Sequence, residues 1–321
     1  MDILENCEND SVQSFSFKKI KAMKYGENPH QKAYLYSYDK ELDYEILKGS
    51  ELSYNDILNL TSALEISAEF FDVSACVVVK HANPVSAALA KNIEGAFDKV
   101  LDADPIAPFN STIAFTKLVD MSLAKKLSDI SFKIIAAPDF DKDALEELKK
   151  SKNVKIIKLN TPLETILRFQ QEEIKLTPFG ALIQEKNKSC LDVKTFKVIT
   201  KKKPTQQELE DMIFAYKIVK HVSSSGAVVA KDLRTLGICA GQPDSPSAIE
   251  YALNKVCDSP KDSIIACDNT LNSIDNIHIA VQNRVSGIIQ PAGSIKDKEL
   301  INCADKLEIS MVSTGIRHIK H

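Results

Sequence analysis

Along this chain, short apolar β-branched runs alternate with stretches whose apolar residues recur at helical spacing. Residues 75–79 (ACVVV) predict a buried strand. The run stops at Lys80-His81-Ala82-Asn83-Pro84, and Ala87, Ala88, Ala90, Ala96 and Phe97 predict that a helix follows. Residues 134–137 and 154–159 predict two further strands, with a helix over 141–150 between them. Downstream, Thr205 with Glu208 three residues later forms a capping box. Leu209, Met212, Ile213, Tyr216 and Val219 then give the helix one apolar face. Residues 227–230, 264–266, 287–290 and 311–314 predict strands, each leading into a polar or glycine-containing loop. This alternation specifies an α/β fold in layers rather than a helical bundle or a β-sandwich.

The pattern also divides the chain. Residues 1–17 are polar and expected to be loose, and Lys201-Lys202-Lys203-Pro204 marks a boundary. The expected units are 18–200, including a linker, and 201–321, built in the same style. A length of 321 residues, 44% hydrophobic and 26% charged, fits about two ordinary globular units. A net charge of −3 excludes a global pull toward nucleic acid or anionic membranes. Only four of the 41 basic residues are Arg (Arg168, Arg234, Arg284, Arg317), a short list of candidate anion forks. Seven scattered cysteines form no C-x-x-C and no zinc-finger spacing with His, so small buried hydrophobes are expected and no structural metal. MDILENCEND lacks the apolar core of a signal peptide, and no apolar run approaches the ~20 residues of a membrane span. Together these point to a reducing cytoplasm.

Ligands in open α/β sheets bind beyond the carboxyl ends of strands, so chemistry is sought there. Lys80-His81 directly follows a predicted strand. An ammonium beside an imidazole suits proton transfer with charge stabilisation, while a Lys reaching solvent and a His bonded to backbone fit the same spacing. Tyr25-Gly26-Glu27-Asn28-Pro29-His30-Gln31 is either a polar binding segment or an ordinary turn. Gly237-Ile238-Cys239-Ala240-Gly241-Gln242 carries two glycines in a predicted loop that could bring N–H groups to an anion. It is neither a Walker A loop nor a dinucleotide fingerprint. Gln290-Pro291-Ala292-Gly293-Ser294 reads as a ligand-facing loop or a turn, and Arg317–His321 as a basic terminus that is either solvated or docked.

In combination these segments are specific. KYGENPHQ (24–31), LSYNDIL (52–58), VVVKHANP (77–84), DPIAPF (104–109), GICAGQ (237–242), IIQPAGSIKD (288–297) and STGIRHIKH (313–321) occur in an order that resembles the transformylase domain of the AICAR formyltransferase/IMP cyclohydrolase family. The resemblance runs from about Lys21 to His321, with no expected counterpart of the family's cyclohydrolase domain. It implies two cytidine-deaminase-like α/β/α subdomains with mixed sheets and no zinc. It also implies a homodimer with shared sites, and formyl transfer from 10-formyltetrahydrofolate, a co-substrate, to the amine of AICAR. By resemblance His81 moves the proton and Lys80 is its cationic neighbour. His321 and Ser225 complete the catalytic set. Lys24, Tyr25, Gly26, Asn83, Arg317 and Gln242 fall on the nucleotide side, and Asp275, Asn276, Asp268, Gln290 and Pro291 on the folate side.

The departures cluster at the same site. The family has Arg at Lys24, Asn at Ser225, Arg at Ser245, Gly-Gly at Asn110-Ser111, and an aromatic S-D-A-F-F-P-F run where this chain has Cys267-Asp268-Asn269-Thr270-Leu271-Asn272-Ser273. A lost hydrogen-bonding partner costs ~1–3 kcal/mol. The alternative is therefore a degenerate paralogue that binds a purine-pathway ribonucleotide or a partner without turnover.

Overall fold

The computed structural model describes residues 14–37, 41–169, 172–188 and 193–321. Most of the loose N-terminal segment, with Cys7 and Cys190, lies outside these residues. The chain opens with β1 (Lys18–Met23) and β2 (Ala33–Ser37), then β3 (Tyr44–Lys48), α1 (Tyr54–Ala68), β4 (Ser74–Lys80), β5 (Asn83–Ala90), α2 (Ile93–Ala103), β6 (Thr112–Phe115), α3 (Met121–Ser128), β7 (Ile134–Ala137), α4 (Lys142–Leu148) and β8 (Lys155–Leu159). A short α5 (Leu163–Ile166) and the hairpin β9 (Glu172–Thr177) and β10 (Gly180–Glu185) follow. The remainder is β11 (Lys197–Val198), α6 (Gln206–Val219), β12 (Ala227–Lys231), β13 (Arg234–Cys239), α7 (Ser245–Asn254), β14 (Ile264–Cys267), α8 (Asp275–Gln282), β15 (Gly287–Gln290), α9 (Asp297–Lys306) and β16 (Ser310–Ser313).

The main sheet, in spatial order β3-β8-β7-β6-β4-β5-β13-β12-β14-β15-β16-β11, reads equivalently from either edge. Each half is an edge strand, a helix, an antiparallel hairpin, and three strand-and-helix steps in which the last strands run parallel. Both edge strands pair antiparallel with the last strand of their half. The halves join where β5 meets β13, with Arg234 opposite Ala88 and the Leu89 N–H donating to Leu233 O at 2.8 Å.

Strand side chains alternate between two faces, and the cores follow that period. Val77 and Val79 point into a core shared by α1 and α6, while Cys76 and Val78 point toward α2, α3 and α4. Val228 and Ala230 join the shared core, and Ala227 and Val229 face α7 and α8. Both shared-core helices start with full capping boxes, Ser53 with Asp56 and Thr205 with Glu208. The Thr205 box is the one expected.

Three expectations are corrected. Residues 83–90 form a strand, and the helix begins only at Ile93. The alanines there favour a helix in isolation, but β4 and β13 flank this segment and supply its hydrogen bonds. Its Pro84 sits at a register shift in the β4–β5 ladder, where a missing N–H is tolerated. Gly237 lies inside β13 rather than in a loop, and a Cβ there would stand 2.1 Å from Ala252 O of α7. That glycine allows a helix to cross the strand closely; Gly241, at φ 70°, makes the turn. Finally, Cys76, Cys239 and Cys267 are buried, but Cys257 is exposed and Cys303 partly so.

The halves also meet through a buried ion cluster. Glu69, the C-cap of α1, accepts from Lys220 Nζ at 2.7 Å and from His221 Nε2 at 3.3 Å, while Lys217 donates to its carbonyl at 2.9 Å. Burial opposes charge on Glu69, but the hydrogen bonds and charges of His221 and Lys220 outweigh it and hold the carboxyl down at about 2. Burial pushes His221 down, against the upward pull of Glu69. Phe70 and Phe214 pack beside the cluster with ring centroids 5.6 Å apart and planes tilted by 42°. Because the folded value of Glu69 lies below the ordinary 4.5, its stabilisation is complete above that pH and is lost as the pH falls toward about 2. Glu69→Gln, which leaves a buried ammonium without its anion, is expected to cost about 3 kcal/mol at neutral pH and to flatten the acid limb of stability. Denaturant unfolding at neutral and acid pH reads both effects.

Candidate functional site

Val79 pairs with Pro84 and Lys80 with Asn83, which leaves His81 and Ala82 as the two residues of a tight hairpin turn. Their φ values are 52° and 57°. Two-residue hairpin turns of this kind need positive φ at both positions and normally use Asn-Gly. Non-glycine residues held there cost about 1–3 kcal/mol each and persist only when their surroundings impose the conformation. Here α1 imposes it: Asn59 Oδ1 accepts the Ala82 N–H at 2.8 Å, and Ser62 Oγ donates to Ala82 O at 2.9 Å. Lys80 is half-buried at the strand end and His81 is exposed. The pair therefore sits on a sharp, externally braced turn, not on a loop leading into a helix.

Asn83 ties this turn to the second half. Its Nδ2 donates to His81 O at 3.2 Å, and its Oδ1 accepts the Ser223 N–H at 2.9 Å. From Ser223 a network continues through residues 223–226. Gly241 N–H donates to Ser223 O at 2.8 Å, and Ser225 and Gln242 exchange backbone bonds at 3.0 and 3.1 Å. Ser224 Oγ donates to Asp268 Oδ2, and the Gly226 N–H reaches Asp268 Oδ1 at 3.0 Å. Burial lifts the Asp268 carboxyl, against the pull of these donors.

The C-terminal tail docks on the same network. The His318 N–H donates to Asp268 O at 2.9 Å, the Ser224 N–H to Lys320 O at 2.9 Å, and the Lys320 N–H to Ser224 Oγ at 3.0 Å. His318 is fully buried against Tyr216, with ring centroids 5.2 Å apart, and Asn187 meets its Nδ1 at 3.0 Å. Burial pushes His318 down to about 4, so it is neutral near pH 7. Arg317 and His321 project from this docked tail and are exposed, and Lys175 Nζ reaches His321 O at 3.1 Å. A cavity of about 570 Å³ lies beside the turn, lined among others by Ser62, Ala82, His221, Asn187 and Lys320. That is the size of a small-molecule site.

The other site candidates occupy two flanking positions. Lys24, Tyr25 and Gly26 follow β1; Gly26 N–H closes the loop on Gln31 O at 2.9 Å, and Lys24 Nζ lies 5.9 Å from the Tyr25 ring. Asn55 Nδ2 holds this loop through Glu27 O at 3.1 Å. On the far side, Asp275 and Asn276 open α8, where Ser273 Oγ donates to Asp275 at 2.8 Å and Asn276 Nδ2 to Ser273 O at 2.7 Å. Asn276 Oδ1 is buried without a partner. Gln290 is buried, its amide oxygen taken by the Leu271 and Ala292 N–H groups, and Pro291 O accepts Gly315 N–H at 2.9 Å. Ser245 is the first residue of α7.

Sequence reasoning missed Asn59, Ser62, Glu65, which pairs with Lys186, and Glu69; with Asn55 of the 52–58 motif they form a polar stripe along α1. The signal was present as polar residues at steps of three and four within the helix, the spacing of one helical face. Asp268, bonded to both the 223–226 loop and the tail, is the junction of the network. Asp268→Ala keeps the carbonyl that receives the His318 N–H but frees Ser224, which holds the Lys320 N–H, and is expected to loosen residues 320–321, detected as carboxypeptidase trimming of an end that the unsubstituted protein keeps.

Comparison with known proteins adds a lineage to this geometry. The family profile described as "AICARFT/IMPCHase bienzyme" matches residues 2–255. A "Bifunctional purine biosynthesis protein PurH" from Thermoanaerobacter sp. (strain X514) is 41% identical over 320 residues, covering 98% of this chain and 62% of that protein. Proteins of the same name from Caldicellulosiruptor bescii and Caldicellulosiruptor saccharolyticus are 41% and 40% identical, covering 96% and 94% of this chain and 62% and 59% of their own lengths. The chain thus spans about three fifths of the length of the curated relatives it matches. With the profile covering most of its length, the chain belongs to the AICARFT/IMPCHase bienzyme family.

Proposed function

We propose that this chain catalyses formyl transfer from 10-formyltetrahydrofolate to the exocyclic amine of AICAR, in the cytoplasmic synthesis of purines. The observation that carries the reading is the Lys80–His81 turn, a braced positive-φ turn at the end of a buried strand and tied through Asn83 to the other half. The AICAR amine is a poor nucleophile because its electrons delocalise into the ring. The protein must therefore orient the reactants, remove a proton and stabilise the oxyanion formed as nitrogen attacks the formyl carbon. His81 takes that proton. Lys80 faces the oxyanion or the departing folate nitrogen. His321 and Ser225 complete the catalytic set, Ser225 supplying a shorter hydroxyl where the family has an amide.

On the same reading Lys24, Tyr25, Gly26, Asn83, Gln242 and Arg317 hold the nucleotide, Lys24 acting as a point charge rather than a fork. Asp275 and Asn276 hold the pterin edge, supported by Asp268, Gln290 and Pro291. The orphaned Asn276 Oδ1 suits a ligand donor. The two halves, 18–200 and 201–321, are proposed as cytidine-deaminase-like subdomains. The molecule is proposed to act as a homodimer sharing its sites.

The competing reading, binding without turnover, draws on the folate side. There the residues replacing the aromatic run bond to one another and to the neighbouring loop: Thr270 N–H to Asn269 Oδ1 at 2.7 Å and Thr270 Oγ1 to Ala292 O at 3.0 Å. A formyl-transfer assay with both substrates separates the two. Turnover is expected, with His81→Ala and Lys80→Ala each lowering kcat by about two to four decades while AICAR affinity changes little. AICAR binding without turnover at saturating folate would favour the competing reading. Sedimentation at micromolar concentration with ligand present is expected to give a dimer, and a monomer would remove the shared site.

A further inference from the structure

The second half carries its own copy of the catalytic hairpin. Lys231 pairs with Arg234 across a two-residue turn, Asp232-Leu233, whose φ values are 55° and 56°. That turn too is braced from the helix below. Asp211 Oδ2 accepts the Asp232 N–H at 3.0 Å, and Oδ1 accepts the Leu233 N–H at 2.6 Å. Asn59 and Asp211 occupy the same step of their helices, six residues after the N-caps Ser53 and Thr205. The fold therefore uses one device twice: a side chain two turns into the helix accepts backbone N–H groups from a strained turn at the end of the adjacent hairpin.

The two copies differ in chemistry. The second braces a turn with a carboxylate that takes two N–H donors. The first uses a neutral amide on one N–H, with Ser62 donating to the carbonyl of the same residue.

We propose that Asn59, assisted by Ser62, is a positioning residue for the Lys80–His81 pair: it clamps both backbone groups of Ala82 and so fixes the turn that aims the two side chains, without touching substrate. This role rests on the formyl-transfer reading. A side chain that slackens by an ångström loses about a hundredfold in rate without losing the substrate, which is the effect assigned to the clamp.

The test compares Asn59→Leu, which removes the acceptor, with Asn59→Asp, which keeps it, and with Asp211→Asn, which weakens the equivalent brace away from the proposed chemistry. Asn59→Leu is expected to speed amide exchange at Ala82 by tenfold or more, roughly, and to lower kcat by about 10–100-fold, with KM for AICAR changed by no more than about threefold. Asn59→Asp is expected to recover Ala82 protection and most of kcat. Asp211→Asn is expected to lower the melting temperature with kcat unchanged. If Asn59→Leu fails to fold, Ser62→Ala, which removes the second bond to Ala82, is read the same way.

Ala82 remaining protected in Asn59→Leu would overturn the proposal. So would unchanged kcat despite lost protection, or equal losses of kcat in Asn59→Leu and Asp211→Asn, which would indicate a merely structural role. Should the unsubstituted protein transfer no formyl group, the functional reading fails. The clamp is then judged by Ala82 exchange and the His81 ring resonance, and an unmoved resonance after loss of the bond overturns it.

Discussion

The carboxylate of Glu69 is the fixed point from which the site is built. An anion buried between two helices is tolerable only when cations and donors meet it, and Lys220 and His221 come from the other half of the chain. This requirement sets the end of α1 against the end of α6. From the end of α6 the chain runs directly into residues 223–226, and the Ser223 N–H there donates to Asn83 of the first hairpin. Upstream on α1, Ser62, Asn59 and Asn55 reach Ala82 and the 24–31 loop. One helix therefore carries the inter-half ion cluster, the Lys80–His81 turn and the 24–31 loop on a single polar stripe. Its opposite face supplies Leu60 and Leu64 to the core, so the stripe has little freedom to rotate.

Internal duplication explains why so few polar side chains organise so large a region. Each half presents the same hairpin, helix and edge strand, and the sheet joins them back to back at β5 and β13. The two hairpin tips then diverge. Lys80-His81-Ala82-Asn83 puts an ammonium and an imidazole on a braced turn, while Lys231-Asp232-Leu233-Arg234 puts an acid at the imidazole's place. Arg234 turns to Asp102 at 3.8 Å, and Lys231 donates to Lys261 O at 2.9 Å. Both cations of the second tip are thus engaged within the fold.

Much of this was legible in the residues, and the failures have definite causes. The strand at 287–290 is read to the residue because Gly287, Ile288 and Ile289, followed by Gln290, end at a proline loop. The Thr205 box is read because both of its members are local in sequence. The 83–90 strand is misread because its alanines take their structure from β4 and β13, and β13 is more than a hundred residues away along the chain. Gly237 is misread for the same reason: the demand for glycine comes from the crossing of α7, not from the loop it adjoins. The polar stripe on α1 is periodic and could have been found, but its purpose is visible only once the turn at 81–82 lies over it. Local chemistry is legible; the identity of the partner is not.

The 267–273 loop shows how substitution can keep a scaffold while changing what it offers. Leu271 is fully buried in the second-half core, and its N–H is held by Gln290, so it serves packing rather than a pocket wall. Around it Asn269, Thr270 and Ser273 spend their polar groups on neighbouring backbone and on Asp275. A loop satisfied in this way has a shape fixed by its own bonds and presents edges more than faces. Under the formyl-transfer reading, a pterin here is gripped through hydrogen bonds at Asp275 and Asn276, whereas stacking would add about 0.5–1.5 kcal/mol per aromatic contact. Hydrogen bonds fix orientation more sharply than stacking does, because they weaken steeply with angle. A pocket of this kind gives up affinity for the folate ring more readily than it gives up its alignment with His81, and alignment is what the reaction requires.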